Sequence, residues 1–273
     1  MTSFNDSLYY FTADFIPSAQ IDLIFLIIIA LIFWTWNKTT GFQLLFLLSL
    51  SVSIAHIIQL FLPAIYVGQE QLPLTHTTVQ AVTTFFAFFI PLAKNRLELA
   101  AVLGPVMAVS VTFLLFTGVP VFSLVGAIII GGFIVYGFYR SFDWIGAMPD
   151  RYVMAFAIVL PAFLAGIIYP HTAYLLHAGY LLGAGIGVSL EFVKVRMNVS
   201  AAGFSKRLPA AAAGLAGIAA LNIFAPFLFS PLPLPLLAQG IATGLWITIV
   251  LPILLVSLKI YEQEGKGKII SSS

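Results

Sequence analysis

The stretch LPLTHTTVQAVTTFFAFFIPLAKNRLE, residues 72–98, opens on small polar groups, runs apolar and ends on Lys94 and Arg96. An apolar run of that length with cations at one end predicts a helix that crosses a bilayer and stops on the cytoplasmic side. The pattern repeats on either side of it. Apolar segments at 21–36, 42–65, 75–93, 97–116, 121–139, 152–169, 172–193, 208–229 and 235–261 alternate with short polar joints. Backbone groups inside hydrocarbon must bond within the chain, so each segment is expected to be helical. The expected fold is an all-α polytopic membrane protein of about nine transmembrane helices.

Composition agrees with that class. The chain is 61% apolar and 8% charged, against about 25% charged in soluble domains. With no cysteine, disulfides and thiolate metal sites are excluded. A net charge of +2 spread over joints offers no cluster for a phosphate backbone, so no nucleic-acid partner is expected. Residues 1–20 lack the basic start and small-residue cleavage site of a signal peptide, so the amino end is expected to be retained.

The cations give an independent test of the span count. With the amino end outside, the inside joints hold Lys38; Lys94 and Arg96; Arg140 and Arg151; Lys194, Arg196, Lys206 and Arg207; then Lys259, Lys266 and Lys268. These are all 12 Lys and Arg residues of the chain. Acids fall on both sides, as expected of a rule that concerns only Lys and Arg. Nine spans therefore predict an outside amino terminus and an inside carboxy terminus.

Within the long inside joint, Glu191 is expected to pair with Lys194 at i,i+3. Lys194, Arg196, Lys206 and Arg207 are candidates for binding lipid headgroups as well as topology anchors. GAIIIGG at 126–132, GYLLGAGIG at 179–187 and AAAAGLAGIAA at 210–220 supply small faces for close helix packing. Asn222 beside the last of these needs a buried partner. His171 and His177 form only a pair, without an adjacent acid or thiol, so no metal site and no cofactor are expected.

Several stretches resemble bacterial membrane phosphatases of the type-2 phosphatidic acid phosphatase superfamily, in a long-tailed branch with extra carboxy-terminal helices. They are FWTWNKTTGFQLLFLLSLSVSIAHIIQLFLP (33–63), LPLTHTTVQAVTTFFAFF (72–89), LLFTGVPVFSLVGAIIIGG (114–132) and GYLLGAGIGVSLEFVKVRMNVSAAGFSKRL (179–208). The resemblance implies a phosphatase-like helical core over 1–139 and additional helices with a basic tail over 140–273, together one compact membrane unit. It also implies a bacterial inner-membrane location. In that family, basic residues hold the phosphoryl group, one histidine attacks phosphorus, an aspartate orients it and another histidine protonates the leaving group.

Carried onto this chain, the first basic position falls near Gln59, and the Arg-Pro element becomes Leu62-Pro63 or Pro63-Ala64. Pro73, Leu74, Thr75 and His76 match Pro-Ser-Gly-His, keeping the outer Pro and His. The next arginine aligns near Leu114 or Leu115. Gly118 survives, but Pro120 stands at the nucleophile and Leu124 at its orienting aspartate. No shift of alignment repairs this, because residues 99–139 contain no His, Asp, Glu, Lys or Arg. Attack on phosphorus needs a lone pair, and a phosphomonoester needs positive charge around it.

The expected remnant is an outer pocket of His56, Gln59, Glu70, Thr75, His76, Thr117 and Ser123, or a set of interhelical hydrogen bonds among them. Proximity of Glu70 would raise the His76 pKa. The expected function is a catalytically inactive phosphatase-like membrane protein acting as a membrane partner, assembly subunit or lipid-binding protein. Its partners would be membrane lipids and an integral-membrane protein. A lipid transporter or flippase, and a residual or altered phosphatase, stand as alternatives.

Overall fold

The computed structural model describes residues 18–62, 65–67, 70–146, 150–200 and 202–263. Among these residues the chain forms nine helices: α1 (Ser18–Thr35), α2 (Lys38–Phe61), α3 (Thr77–Ala87), α4 (Arg96–Phe116), α5 (Val121–Gly146), α6 (Asp150–Ile168), α7 (Leu176–Val195), α8 (Phe204–Phe229) and α9 (Pro235–Ser257). Six of them, α2, α4, α5, α7, α8 and α9, contain runs long and apolar enough to cross a membrane. Shorter apolar helices occupy Gln20–Thr35, Thr77–Leu92 and Met154–Ile168. The protein is an all-α membrane protein. Among the described residues the strands form two small antiparallel ribbons: β1 (Ile65–Val67) with β2 (Glu70–Leu72), and β3 (Met197–Asn198) with β4 (Glu262–Gln263).

Polar caps move the helix ends away from where hydropathy puts them. The Asn37 carboxamide oxygen accepts from the Thr39 and Thr40 amides at 2.9 and 3.1 Å, so α2 starts at Lys38 and not at 42. Asn95 caps α4 by accepting from the Glu98 amide at 2.8 Å, and the Glu98 carboxylate reaches back to the Lys94 amide at 2.7 Å. Pro91 follows α3, where the chain tightens into a 3₁₀ turn at Ile90–Leu92. Two π-helical stretches, Glu191–Val195 and Trp246–Val250, end α7 and interrupt α9.

The chain divides into two compact units, one from the described residues of Met1–Leu26 and Leu47–Ala147, the other from those of Ile27–Phe46 and Met148–Ser273. In the first, α3 packs against α4 and α5. Gly126 of α5 lies under the Leu74 carbonyl, where a Cβ would come within 2.1 Å of the oxygen, and Gly131 faces Gln80, Thr83 and Thr84 of α3.

In the second unit, α7 packs against α6 and α9. Gly179, Gly183 and Gly187 of α7 meet Gly240, Gly244 and Thr248 of α9 along a shared seam; a Cβ on Gly183 would fall 2.2 Å from the Ile241 carbonyl oxygen. Such seams let backbones approach where lipid gives apolar side chains no reason to prefer one another. The alanine-rich face of α8 works differently. Gly214 and Gly217 make room for the Trp34 and Trp246 indoles rather than for a helix backbone. Trp34 is fully buried, donates to the Ile247 carbonyl at 2.9 Å, and accepts at its own carbonyl from the Tyr261 hydroxyl at 2.7 Å. Asn222 meets the Gln239 amide at 3.4 Å across α8 and α9.

The expected Glu191–Lys194 pair does not form. Glu191 is fully buried and pairs with Lys38 at 3.3 Å, 153 residues away, while Lys194 is exposed. The π-helical turn beginning at Glu191 replaces the α-helical register that would set i and i+3 side by side. Glu191 Oε1 also accepts from the Met197 amide at 2.7 Å, and Lys38 donates to the Met197 carbonyl at 2.9 Å.

Removing one partner of a buried pair strands the other charge, a cost of about 3–5 kcal/mol. Lys38→Met should lower stability by that amount in denaturant unfolding in a fixed detergent. Lys38→Met combined with Glu191→Gln should recover most of it. Equal losses in the single and double variants would contradict the pairing.

Candidate functional site

The loop Pro73–Leu74–Thr75 enters α3, and the polar groups around it bond to one another. Thr75 Oγ1 donates to Gln80 Oε1 at 2.6 Å. Gln80 Nε2 donates to the Ser51 carbonyl at 2.8 Å and to Ser51 Oγ at 3.1 Å. Ser51 Oγ and Thr84 Oγ1 share a hydrogen bond at 2.7 Å, and Thr84 Oγ1 donates to the Gln80 carbonyl at 2.9 Å. Ser51, Thr75, Gln80 and Thr84 are all buried. Gln59 Nε2 reaches the Thr75 carbonyl at 3.2 Å, and the Ser123 hydroxyl donates to the Pro73 carbonyl. Three of the expected pocket residues, Gln59, Thr75 and Ser123, thus meet at this loop. They meet as hydrogen-bond partners of the loop and of Gln80, which leaves little polar capacity for a ligand.

His76 is the N-cap of α3. Its Nδ1 accepts from the Val79 amide at 3.4 Å, which puts the proton of the neutral ring on Nε2, and the ring lies against Phe113 with centroids 4.5 Å apart. Burial pushes its pKa down from 6.5 to about 4. That is the opposite of the shift a neighbouring carboxylate would give; the Glu70 side chain lies outside the described residues. A histidine neutral at pH 7 is a poor donor to a leaving alkoxide.

Thr117 donates to the Phe113 carbonyl and closes the end of α4. His56 stays half-buried on α2, one turn before Gln59. Pro120 offers its carbonyl to the Ser123 and Leu124 amides at 3.0 and 3.3 Å, starting α5. Leu124 is 4% exposed and packs with Val79, Phe113 and Ala127 in an apolar cluster. Hydrocarbon therefore surrounds the position where the resemblance leads one to expect an orienting carboxylate.

Of the headgroup candidates, Lys194, Arg196 and Lys206 are exposed. Arg196 holds φ at +52° directly after the π turn. Arg207 is half-buried and donates from Nε to the Ala202 carbonyl at 2.9 Å. His171 is exposed, and His177 is buried edge-on to Tyr180 with ring centroids 5.4 Å apart. Among the described residues no group of three His, Cys, Asp or Glu could hold a metal ion.

Ser51, Gln80 and Thr84 carry the network yet fall outside the pocket expected from sequence. Their signal is present in the alternating serines of LSLSVS (48–53) and in Thr83-Thr84, polar groups inside otherwise apolar runs.

The His76 shift sets a pH dependence. Between about 4 and 6.5 the unfolded chain binds the proton and the folded chain does not, so stability from this residue is complete above 6.5 and is lost as pH falls toward 4. Ring nitrogen NMR should find Nε2 protonated, Nδ1 bare and a midpoint near 4. A midpoint at or above 6.5 would contradict the buried, uncharged ring.

The comparisons bear on the far end of the chain. Residues 175–263 match the family model described as PAP2 superfamily phosphatase, transmembrane extension. No curated protein and no solved structure matches the chain. The matched segment takes in α7, α8 and α9 with both strands of the second ribbon, including Glu191, Met197 and the glycine seam. Over this segment the chain is similar to the transmembrane extension of PAP2 superfamily phosphatases.

Proposed function

We propose that this chain is a catalytically inactive phosphatase-like protein of the bacterial inner membrane, which binds membrane lipids and serves as a membrane partner in place of hydrolysing a phosphate ester. The observation that carries this reading is the filling of the reaction centre. Pro120 begins a helix where the nucleophile would stand, and Leu124 is packed into an apolar cluster where its orienting carboxylate would stand. A proline nitrogen in a peptide bond has no lone pair to offer phosphorus, and residues 99–139 hold no His, Asp or Glu to attack in its place or to activate a neighbouring hydroxyl.

The charge distribution reinforces the argument. With nine spans and an outside amino terminus, this end of the first unit carries no Lys or Arg to neutralise an incoming phosphoryl group. Contacts within the second unit support that topology. The Lys38 joint, the Glu191–Met197 joint and the Tyr261–Gln263 segment all meet, as three inside joints must. Within the first unit, the loop before α3 meets the start of α5, as two outside joints must. A lipid transporter would need polar groups lining an open path toward the midplane. Ser51, Gln80 and Thr84 are instead closed onto one another.

Purified protein assayed with phosphatidic acid, polyprenyl phosphate and polyprenyl diphosphate should release no phosphate above a boiled control. Turnover that disappears in His76→Ala would overturn the assignment.

A further inference from the structure

A cavity of about 440 Å³ lies in the second unit, lined by Lys206, Val256, Ser257, Lys259, Tyr261, Glu262 and Gln263. Its walls come from the first turn of α8, the end of α9 and the segment that follows. We propose that this cavity binds the phosphate of an anionic phospholipid headgroup, with the Lys206 and Lys259 ammonium groups holding it.

The charges select that ligand. Lys206 and Lys259 are exposed, and neither is within ion-pairing distance of a carboxylate among the described residues. An ammonium group is a compact point charge suited to phosphate oxygens. Among the lining residues two ammonium groups outweigh the Glu262 carboxylate, so the cavity attracts an anion, while Glu262 adds a repulsion that grows with the charge on the phosphate. The volume falls in the range of small-ligand sites, roughly 300–1,000 Å³. Val256 supplies an apolar wall for the start of the glycerol backbone, while Ser257 and Gln263 supply polar groups for headgroup hydroxyls.

The backbone is shaped around the cavity. Lys259 holds φ at +58° directly after α9, where the Leu258, Lys259 and Ile260 amides turn back onto the Leu254, Val256 and Leu255 carbonyls at 2.9, 3.1 and 2.9 Å. Glycine is the residue ordinarily found at such a left-handed helix end. A lysine there, in a strained conformation, is a sign that the side chain is used. Tyr261 anchors the opposite wall through its bond to the Trp34 carbonyl, so the cavity does not depend on the lipid for its form. The Gln263 side chain is held by the Lys194 carbonyl at 3.0 Å.

This inference rests on the membrane location proposed above, and not on the loss of catalysis. The test is native mass spectrometry and lipid titration of the full-length protein in detergent, with phosphatidylglycerol, phosphatidylcholine and phosphatidic acid as probes. Phosphatidylglycerol should bind in preference to phosphatidylcholine. Lys206→Gln and Lys259→Gly should each weaken it about fivefold, and together about thirtyfold. Lys259→Gly also relieves the backbone, so its loss of binding should come with unchanged or higher thermal stability. Glu262→Gln should strengthen phosphatidic acid binding more than phosphatidylglycerol binding, whereas Lys94→Gln, an exposed lysine of the first unit, should change neither. Unaltered binding in the Lys206/Lys259 double variant would overturn the proposal. So would an equal loss in Lys94→Gln, or displacement by inorganic phosphate as effective as by lipid. Phosphate release in the assay of the preceding section would leave these binding results untouched, so the two claims fail separately.

Discussion

A carboxamide or carboxylate removed from water has only the protein to bond to, and leaving it unpaired is costly. Two such groups organise this chain. Gln80 is fully buried and spends its amide on Ser51 of α2 and on Thr75 at the mouth of its own helix. Glu191 is fully buried and spends one oxygen on Lys38 and the Met197 amide. The first fixes α2 against α3. The second holds the joint between α1 and α2 against the end of α7. A slip of one residue in either pairing would bury an unsatisfied polar group, so these bonds specify register as well as adding stability.

Close packing follows from that register. Once α7 and α9 are aligned, Gly179, Gly183 and Gly187 fall opposite Gly240, Gly244 and Thr248, and the backbones touch. On α8 the small residues serve another end. Gly214 and Gly217 receive two indoles whose N–H groups reach the Ile247 and Gly214 carbonyls. The π-helical turn at Trp246–Val250 brackets the Ile247 carbonyl that Trp34 uses. Irregular backbone in this unit coincides with side-chain hydrogen bonds that a regular helix would not invite.

Much of the helical plan was legible, because hydropathy is a sum over many residues and tolerates local error. All nine apolar segments correspond to helices among the described residues. Their ends were less legible. Hydropathy treats Lys38-Thr39-Thr40 as a joint, whereas the Asn37 cap makes it the first turn of α2. Long-range partners left little trace in sequence. Nothing local to Glu191 points to Lys38, and i,i+3 spacing points to the wrong lysine once a π turn intervenes. At the positions that the resemblance assigns to the nucleophile and its orienting acid, the presence of Pro120 and Leu124 was legible in the sequence itself. The fate of the surrounding polar groups was not, because whether Thr75 faces a cavity or Gln80 depends on helix placement.

The functional account therefore turns on whether the place beside His76 is closed. A closed site, knit by Thr75, Gln80, Ser51 and Thr84, suits the proposed absence of phosphoryl transfer in a chain that resembles the PAP2 transmembrane extension over 175–263. An open, wet site would instead leave room for a ligand beside His76. The chain has no cysteine of its own, so single introduced thiols can be read without background. Thr75→Cys, buried at 0% exposure, should resist a water-soluble maleimide in folded protein, while Pro73→Cys, two residues away and exposed, should label readily. Rapid labelling at both positions would contradict the account.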